Sequence, residues 1–208
     1  FSGSNMVEVQ GNGLVPMDTV KIGDYVKSAN SKFSRVYSFG HIVHDAKATF
    51  LQMHATGLAV PLEISSNHLL FVGDKIIAAR DVKVGDMLGN KKVYEIKTVK
   101  SRGVYTPVTE AGNIVVSDVL ASCYTDYPFL GHYYSPDFWH WGSHAVLSPL
   151  RLACSINFQI CMNESYTLGI SNYVIAISGP YFALLYLATS PILMVALAFG
   201  FLLYKQRM

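Results

Sequence analysis

The chain has 208 residues, enough for one domain with its own core plus an appendage. Only 14% of them are charged, against roughly 25% in an ordinary soluble domain, while 51% are apolar and the mean hydropathy is +0.30. The net charge is +2 and no Lys/Arg run is interleaved with aromatics, which argues against nucleic-acid binding.

The apolar excess is uneven. Phe1 to Arg151 reads like a globular chain, whereas Ser165 to Tyr204 carries no charge at all, and the composition shifts near Cys154. The opening Phe1-Ser2-Gly3-Ser4 has none of the features of a signal peptide. Short apolar stretches then alternate with turn residues: Leu14-Val15, Tyr25-Val26, Val36-Tyr37, Thr49 to His54, Ala59 to Ile64 and Leu69 to Val72. The pattern continues through Lys75 to Ala79, Val93 to Val99, Val104 to Val108 and Asn113 to Leu120, separated by pairs such as Gly23-Asp24, Gly73-Asp74 and Gly85-Asp86. This spacing predicts an all-β domain of hairpins. No amphipathic helical period appears before about Ser135.

The sequence also repeats. Val20-Lys21-Ile22-Gly23-Asp24-Tyr25-Val26 returns as Val82-Lys83-Val84-Gly85-Asp86-Met87-Leu88, and Gly57-Leu58-Ala59-Val60 resembles Gly112-Asn113-Ile114-Val115. A duplicated pair of hairpin units with pseudo-two-fold symmetry is expected, with a cleft between the halves to hold a site.

Taken singly, the polar residues leave two readings open. Ser65-Ser66-Asn67-His68 closes a strand as a polar turn, or sets hydroxyls, an amide and an imidazole where they can protonate a leaving nitrogen. Asp45 is a surface carboxylate or a general base. Cys123, in Ser122-Cys123-Tyr124, is a core thiol or a reactive one. Three cysteines make an odd count without a Cys-x-x-Cys pair; Cys154 and Cys161 are close enough in sequence to pair, which leaves Cys123 alone. His132, His140 and His144 give little support for a metal, no cofactor is indicated, and the Gly-x-Ser-x-Gly elbow of a serine hydrolase is missing.

In order along the chain, the Gly23-Asp24 repeat, the Ser65-x-x-His68 pair, Ala121-Ser122-Cys123-Tyr124, and Ser143-His144 followed by Leu147-Ser148-Pro149-Leu150-Arg151-Leu152 resemble the hedgehog branch of Hint (hedgehog/intein) autoprocessing domains. The resemblance covers Phe1 to about Leu152. It implies the Hint fold and a two-step acyl transfer, in which a first-position cysteine converts the peptide bond before it into a thioester and a second nucleophile releases the upstream segment. In hedgehog proteins that nucleophile is a sterol hydroxyl. By position His68 matches the family's proton donor, Ser65 its usual threonine, Asp45 its base for the incoming alcohol, and Cys123 a cysteine able to pair with the nucleophile during oxidative folding. Because hedgehog domains begin with Cys followed by Phe, the nucleophile is expected immediately before Phe1. Tyr127 to Trp141 reads as an aromatic-rich insertion in that pattern.

After a linker over 153–179, the uncharged run Pro180 to Tyr204 has the length of a transmembrane helix, about 25 residues or ~37 Å against a hydrocarbon core of about 30 Å. Lys205 and Arg207 then place a short cytosolic tail, 205–208, by the positive-inside rule, with the β-domain lumenal or extracellular. The sequon Asn163-Glu164-Ser165 suits that side. The expected partners are the chain's own upstream segment, membrane lipid, and a sterol or other lipid alcohol as acceptor, with thiol or water as other acceptors. The alternative is a catalytically inactive Hint fold serving as a membrane-tethered structural or interaction module.

Overall fold

The computed structural model describes residues 1–127, 134–177 and 179–180. The chain opens with a hairpin of β1 (Met6–Val9) and β2 (Gly13–Pro16), a 3-10 turn at Met17–Thr19, and β3 (Tyr25–Lys27). A long strand β4 (Phe33–Ala55) follows, then β5 (Leu62–Ile64). The second half repeats the order: hairpin β6 (His68–Val72) and β7 (Lys75–Ala78), a 3-10 turn at Ala79–Asp81, β8 (Met87–Leu88) and a long β9 (Lys91–Thr109). A last hairpin joins β10 (Asn113–Val116) to β11 (Val119–Thr125).

The repeated heptad folds twice in the same way. Asp24 Oδ2 accepts from Lys21 N–H at 2.8 Å, and Asp86 Oδ2 accepts from Lys83 N–H at 2.8 Å. Gly23 N–H reaches the Val36 carbonyl as Gly85 N–H reaches that of Val93, each at 2.8 Å. Both glycines hold φ near +100°, where a side chain is strained. The duplicated turn leads into β3 in one half and β8 in the other, which pair with the long strands β4 and β9, and these two long strands pair antiparallel from Val36 opposite Thr109 to Ala55 opposite Val93.

Two expectations are corrected. Val36-Tyr37 and Thr49 to His54 are not separate strands but parts of β4, and Val93–Val99 and Val104–Val108 are both in β9. The polar residues between them read as breaks in isolation, yet each long strand satisfies the other's backbone groups across the break, with bulges absorbing the register shifts. The domain is also mostly β rather than all-β. Ser135 caps α1 (Pro136–Val146), its hydroxyl accepting from Phe138 N–H at 3.2 Å, with Pro136 at the first helical position. Then come α2 (Ser148–Ile156) and α3 (Gln159–Met162). Trp139 of α1 packs on Leu69, Ile76 and Ala78 of the β6–β7 hairpin, so the aromatic-rich segment covers a sheet face.

The segment after Leu152 folds back on the sheet. A Cys154–Cys161 disulfide, with a Cα separation of 5.6 Å, ties α2 to α3. The small hairpin β12 (Tyr166–Thr167) and β13 (Ile170–Ser171) then adds to β4, with Ile170 opposite His41. Glu164 accepts from Ser38 Oγ at 3.0 Å and from Tyr166 OH at 3.0 Å, locking this return. A helical stretch covers 172–177. No helix among the described residues is long and apolar enough to cross a membrane. The expected span 180–204 lies outside the described residues, apart from Pro180 itself.

Candidate active site at the N-terminal residue

Phe1 is buried in the main core. Its nitrogen donates to the Tyr105 carbonyl at 2.8 Å and its carbonyl accepts from Tyr105 N–H at 2.9 Å, so the chain enters as a short strand beside β9. Gly3 N–H continues the pairing to Arg102 O at 3.1 Å. On the other side Asn5, buried, holds the backbone of Glu63 in β5. The N-terminal segment is thereby threaded between the two halves of the fold, in the cleft that the duplication implies.

The Phe1 ring is 1% exposed and lies against the imidazole of His68, with centroids 4.3 Å apart. His68 is itself buried. Its Nε2 is 2.9 Å from the Ser122 carbonyl oxygen, and because a carbonyl only accepts, Nε2 carries the proton and Nδ1 carries the lone pair. Burial, reinforced by the neighbouring Phe1 amino group, lowers the His68 pKa to about 3, so the ring is neutral at physiological pH. Burial likewise lowers the Phe1 amino group to about 5.

The turn carrying His68 is held from both sides. Ser65, half-buried, accepts the His68 backbone N–H at 3.0 Å on its carbonyl. Arg80 Nη1 reaches Asn67 Oδ1 at 3.0 Å and Asp126 Oδ1 at 2.8 Å, and Asp126 N–H donates to the Asn67 carbonyl at 2.8 Å. Behind Ser122, its hydroxyl pairs with His140 Nδ1 of α1 at 2.9 Å. Cys123 is the neighbouring residue of β11, buried 3.6 Å from Thr109 Oγ1. Burial pushes its thiol up to about 11, so it is protonated and a poor nucleophile in this setting.

His68 thus lies between Phe1 and the Ser122 carbonyl, with Ser65 on the same turn and Cys123 next to Ser122 in β11. Asp45 stands apart from them: its side chain is 83% exposed and ion-pairs with Arg102 across the β4–β9 ladder. Among the described residues no group of three His, Cys, Asp or Glu side chains could hold a metal. His140 and His144 are engaged with Ser122 and Tyr124, and His132 lies outside the described residues. The sequence reading missed Tyr105, Arg80, Asp126 and the Ser122 carbonyl, because backbone and second-layer contacts leave no residue-type signal. It also passed over His41, whose only signal is an imidazole among the apolar residues Phe39, Ile42 and Val43.

A duplicated antiparallel fold that encloses Phe1 beside a neutral histidine defines the class as a Hint-type β-module. The chain belongs to the Hint module family, whose model matches residues 1–174. It is 33% identical to Warthog protein 6 of Caenorhabditis elegans over 145 aligned positions, covering 61% of this chain and 24% of that protein. It is 32% identical to Protein hedgehog of Drosophila melanogaster over 170 positions, covering 72% of this chain and 34% of that protein. These relatives place it in the hedgehog-type branch, although it spans only about a quarter to a third of their length. In fold it is similar to the crystal structure of the MchDnaB-1 intein, with a TM-score of 0.50 at 14% identity, covering 58% of this chain and 98% of that one.

Proposed function

We propose that this chain is the self-processing part of a precursor and cleaves, once, the peptide bond before a cysteine joined to the nitrogen of Phe1. The observation that carries this reading is the seat of Phe1: both backbone groups held by Tyr105, its ring against a buried, neutral His68 in one fixed tautomer.

The residue attached to the Phe1 nitrogen would continue the extended entry past His68. His68 Nδ1 takes the proton of that cysteine's thiol, and the thiolate attacks the carbonyl carbon before it. The C–N bond then breaks as Nδ1 returns the proton to the leaving amine nitrogen, and a thioester remains. Because burial disfavours its charged form, protonated His68 gives its proton up readily to the leaving nitrogen, and the Ser122 carbonyl keeps the ring oriented throughout. Ser65, on the same turn, supplies a hydroxyl to polarise the scissile carbonyl. Cys123, one residue from Ser122, would be the thiol to pair with the nucleophile under oxidising conditions.

An oxygen nucleophile then resolves the thioester, releasing the upstream segment as an ester of a sterol or other lipid alcohol, or as a free acid. The uncharged run 180–204 anchors the domain at a membrane, with Phe1 to Asn163 on the lumenal side, which raises the concentration of a lipid acceptor. The test is to express the full precursor and add dithiothreitol. The upstream segment should be released, and His68→Ala should abolish release while the domain still folds. An unreactive wild-type precursor would leave a tethered module without catalysis.

A further inference from the structure

We infer that His41, rather than Asp45, is the base that activates the oxygen nucleophile in the second step, an inference that rests on the self-cleavage reading above. The two histidines divide the work by access. His68 is sealed under Phe1 and no bulky molecule reaches it. An acceptor that arrives from outside needs a base that is reachable from solvent and still close to the reacting carbonyl.

His41 meets both conditions. It is solvent-exposed and sits where β4 breaks register between Phe39 and Ile42, a bulge that re-aims the side chain. Ile42 pairs with Tyr105, the residue whose backbone holds Phe1, so the bulge lies one strand away from the reaction centre. His41 lines a mostly apolar cavity of about 120 Å³ together with Thr106, Cys123, Tyr124 and Thr125. Thr125 is the cross-strand partner of His68, so this cavity opens beside the catalytic turn. Partial burial among its neighbours lowers the His41 pKa below its ordinary value, so its ring is neutral and able to accept a proton. β13 pairs with β4 at His41 itself and fixes the strand there. Asp45 has none of these relations. It points to solvent and is occupied by Arg102.

The step balances without any other reagent. The imidazole of His41 takes the proton of the alcohol or water, the oxygen bonds to the thioester carbonyl, the C–S bond breaks, and the departing thiolate is protonated by the imidazolium.

The test uses the full precursor and three nucleophiles: dithiothreitol, which needs no base, plain buffer for hydrolysis, and 1-dodecanol in detergent micelles. In His41→Gln and His41→Ala, release by dithiothreitol should stay within about twofold of wild type, while oxygen-driven release falls about a hundredfold, the scale of general-base catalysis. Added imidazole should restore it in His41→Ala, and Asp45→Asn should behave as wild type. The inference is overturned if oxygen-driven release survives in both His41 variants, if only Asp45→Asn loses it, or if both His41 variants lose the thiol route as well. A wild-type precursor that releases with dithiothreitol but with neither oxygen nucleophile also overturns it. A wild-type precursor inert to dithiothreitol would refute the cleavage reading itself.

Discussion

The side-chain amide of Asn5 grips the backbone of Glu63 on both of its faces, Oδ1 accepting from the N–H at 2.9 Å and Nδ2 donating to the carbonyl at 2.8 Å. One side chain thus performs the work of a strand partner and fastens the N-terminal segment to β5, four residues from the reaction centre. Asn5→Ala leaves a buried backbone N–H and carbonyl without their partner, which costs about 1–3 kcal/mol. Urea unfolding should show the loss, and dithiothreitol-driven release should slow as Phe1 loosens in its seat.

The clamp of Arg80 on Asp126 secures the other wall of the site. Asp126 is 5% exposed while Arg80 is about one-third exposed, so solvent screens the pair only from one side. Arg80→Ala should lower stability by about 2 kcal/mol, less than a fully buried pair would lose. The informative readout is the ratio of effects: the cleavage rate should fall more than the loss of folded protein explains, since Asn67 and the His68 turn lose their brace.

Acid should destabilise this chain through its histidines. The folded-state pKa of His68 is near 3 and that of His144 near 4, both below the ordinary value of 6.5. Between those values and 6.5 the unfolded chain binds the extra protons, so stability falls as pH drops through that window and is fully present above it. For His68, which is fully buried, the slope approaches about 1.4 kcal/mol per pH unit. Thermal midpoints measured from pH 7 to pH 4 should decline, and His68→Asn should flatten the decline although it inactivates the domain.

The repeated turns allow an internal control. Asp24 and Asp86 make the same bond to the N–H three residues earlier, at the same 2.8 Å. Asp24→Ala and Asp86→Ala should each cost about 0.5–1 kcal/mol, similar to one another and additive in the double variant because the sites do not touch. Strong non-additivity in calorimetry would show that the two halves do not carry their turns independently.

Several features were legible along the chain because their causes are local. The Gly-Asp turns need a positive φ and a carboxylate three residues from an N–H, and such a motif is written in adjacent letters. The same holds for the polar turn ending in His68. The lengths of β4 and β9 were hidden because neither strand is continuous by its own propensity; each exists because the other satisfies its backbone. His41 escaped notice for a related reason. Its place in the site is set by a bulge, which is a mismatch between two strands and has no signature in either.

The sequence by itself determined the duplicated hairpin plan, the hedgehog-type Hint membership, and the polar turn on which His68 sits, since these rest on residue identity and short-range spacing. Only the tertiary structure decided which tautomer His68 adopts, that Cys123 stays a protonated thiol, that Asp45 is held by Arg102, and that His41 faces the cavity. Those properties depend on burial and on partners 54 and more residues away, such as Ser122 for His68 and Arg102 for Asp45. Desolvation and hydrogen bonding act through space, so they come into being only when the two halves close around Phe1.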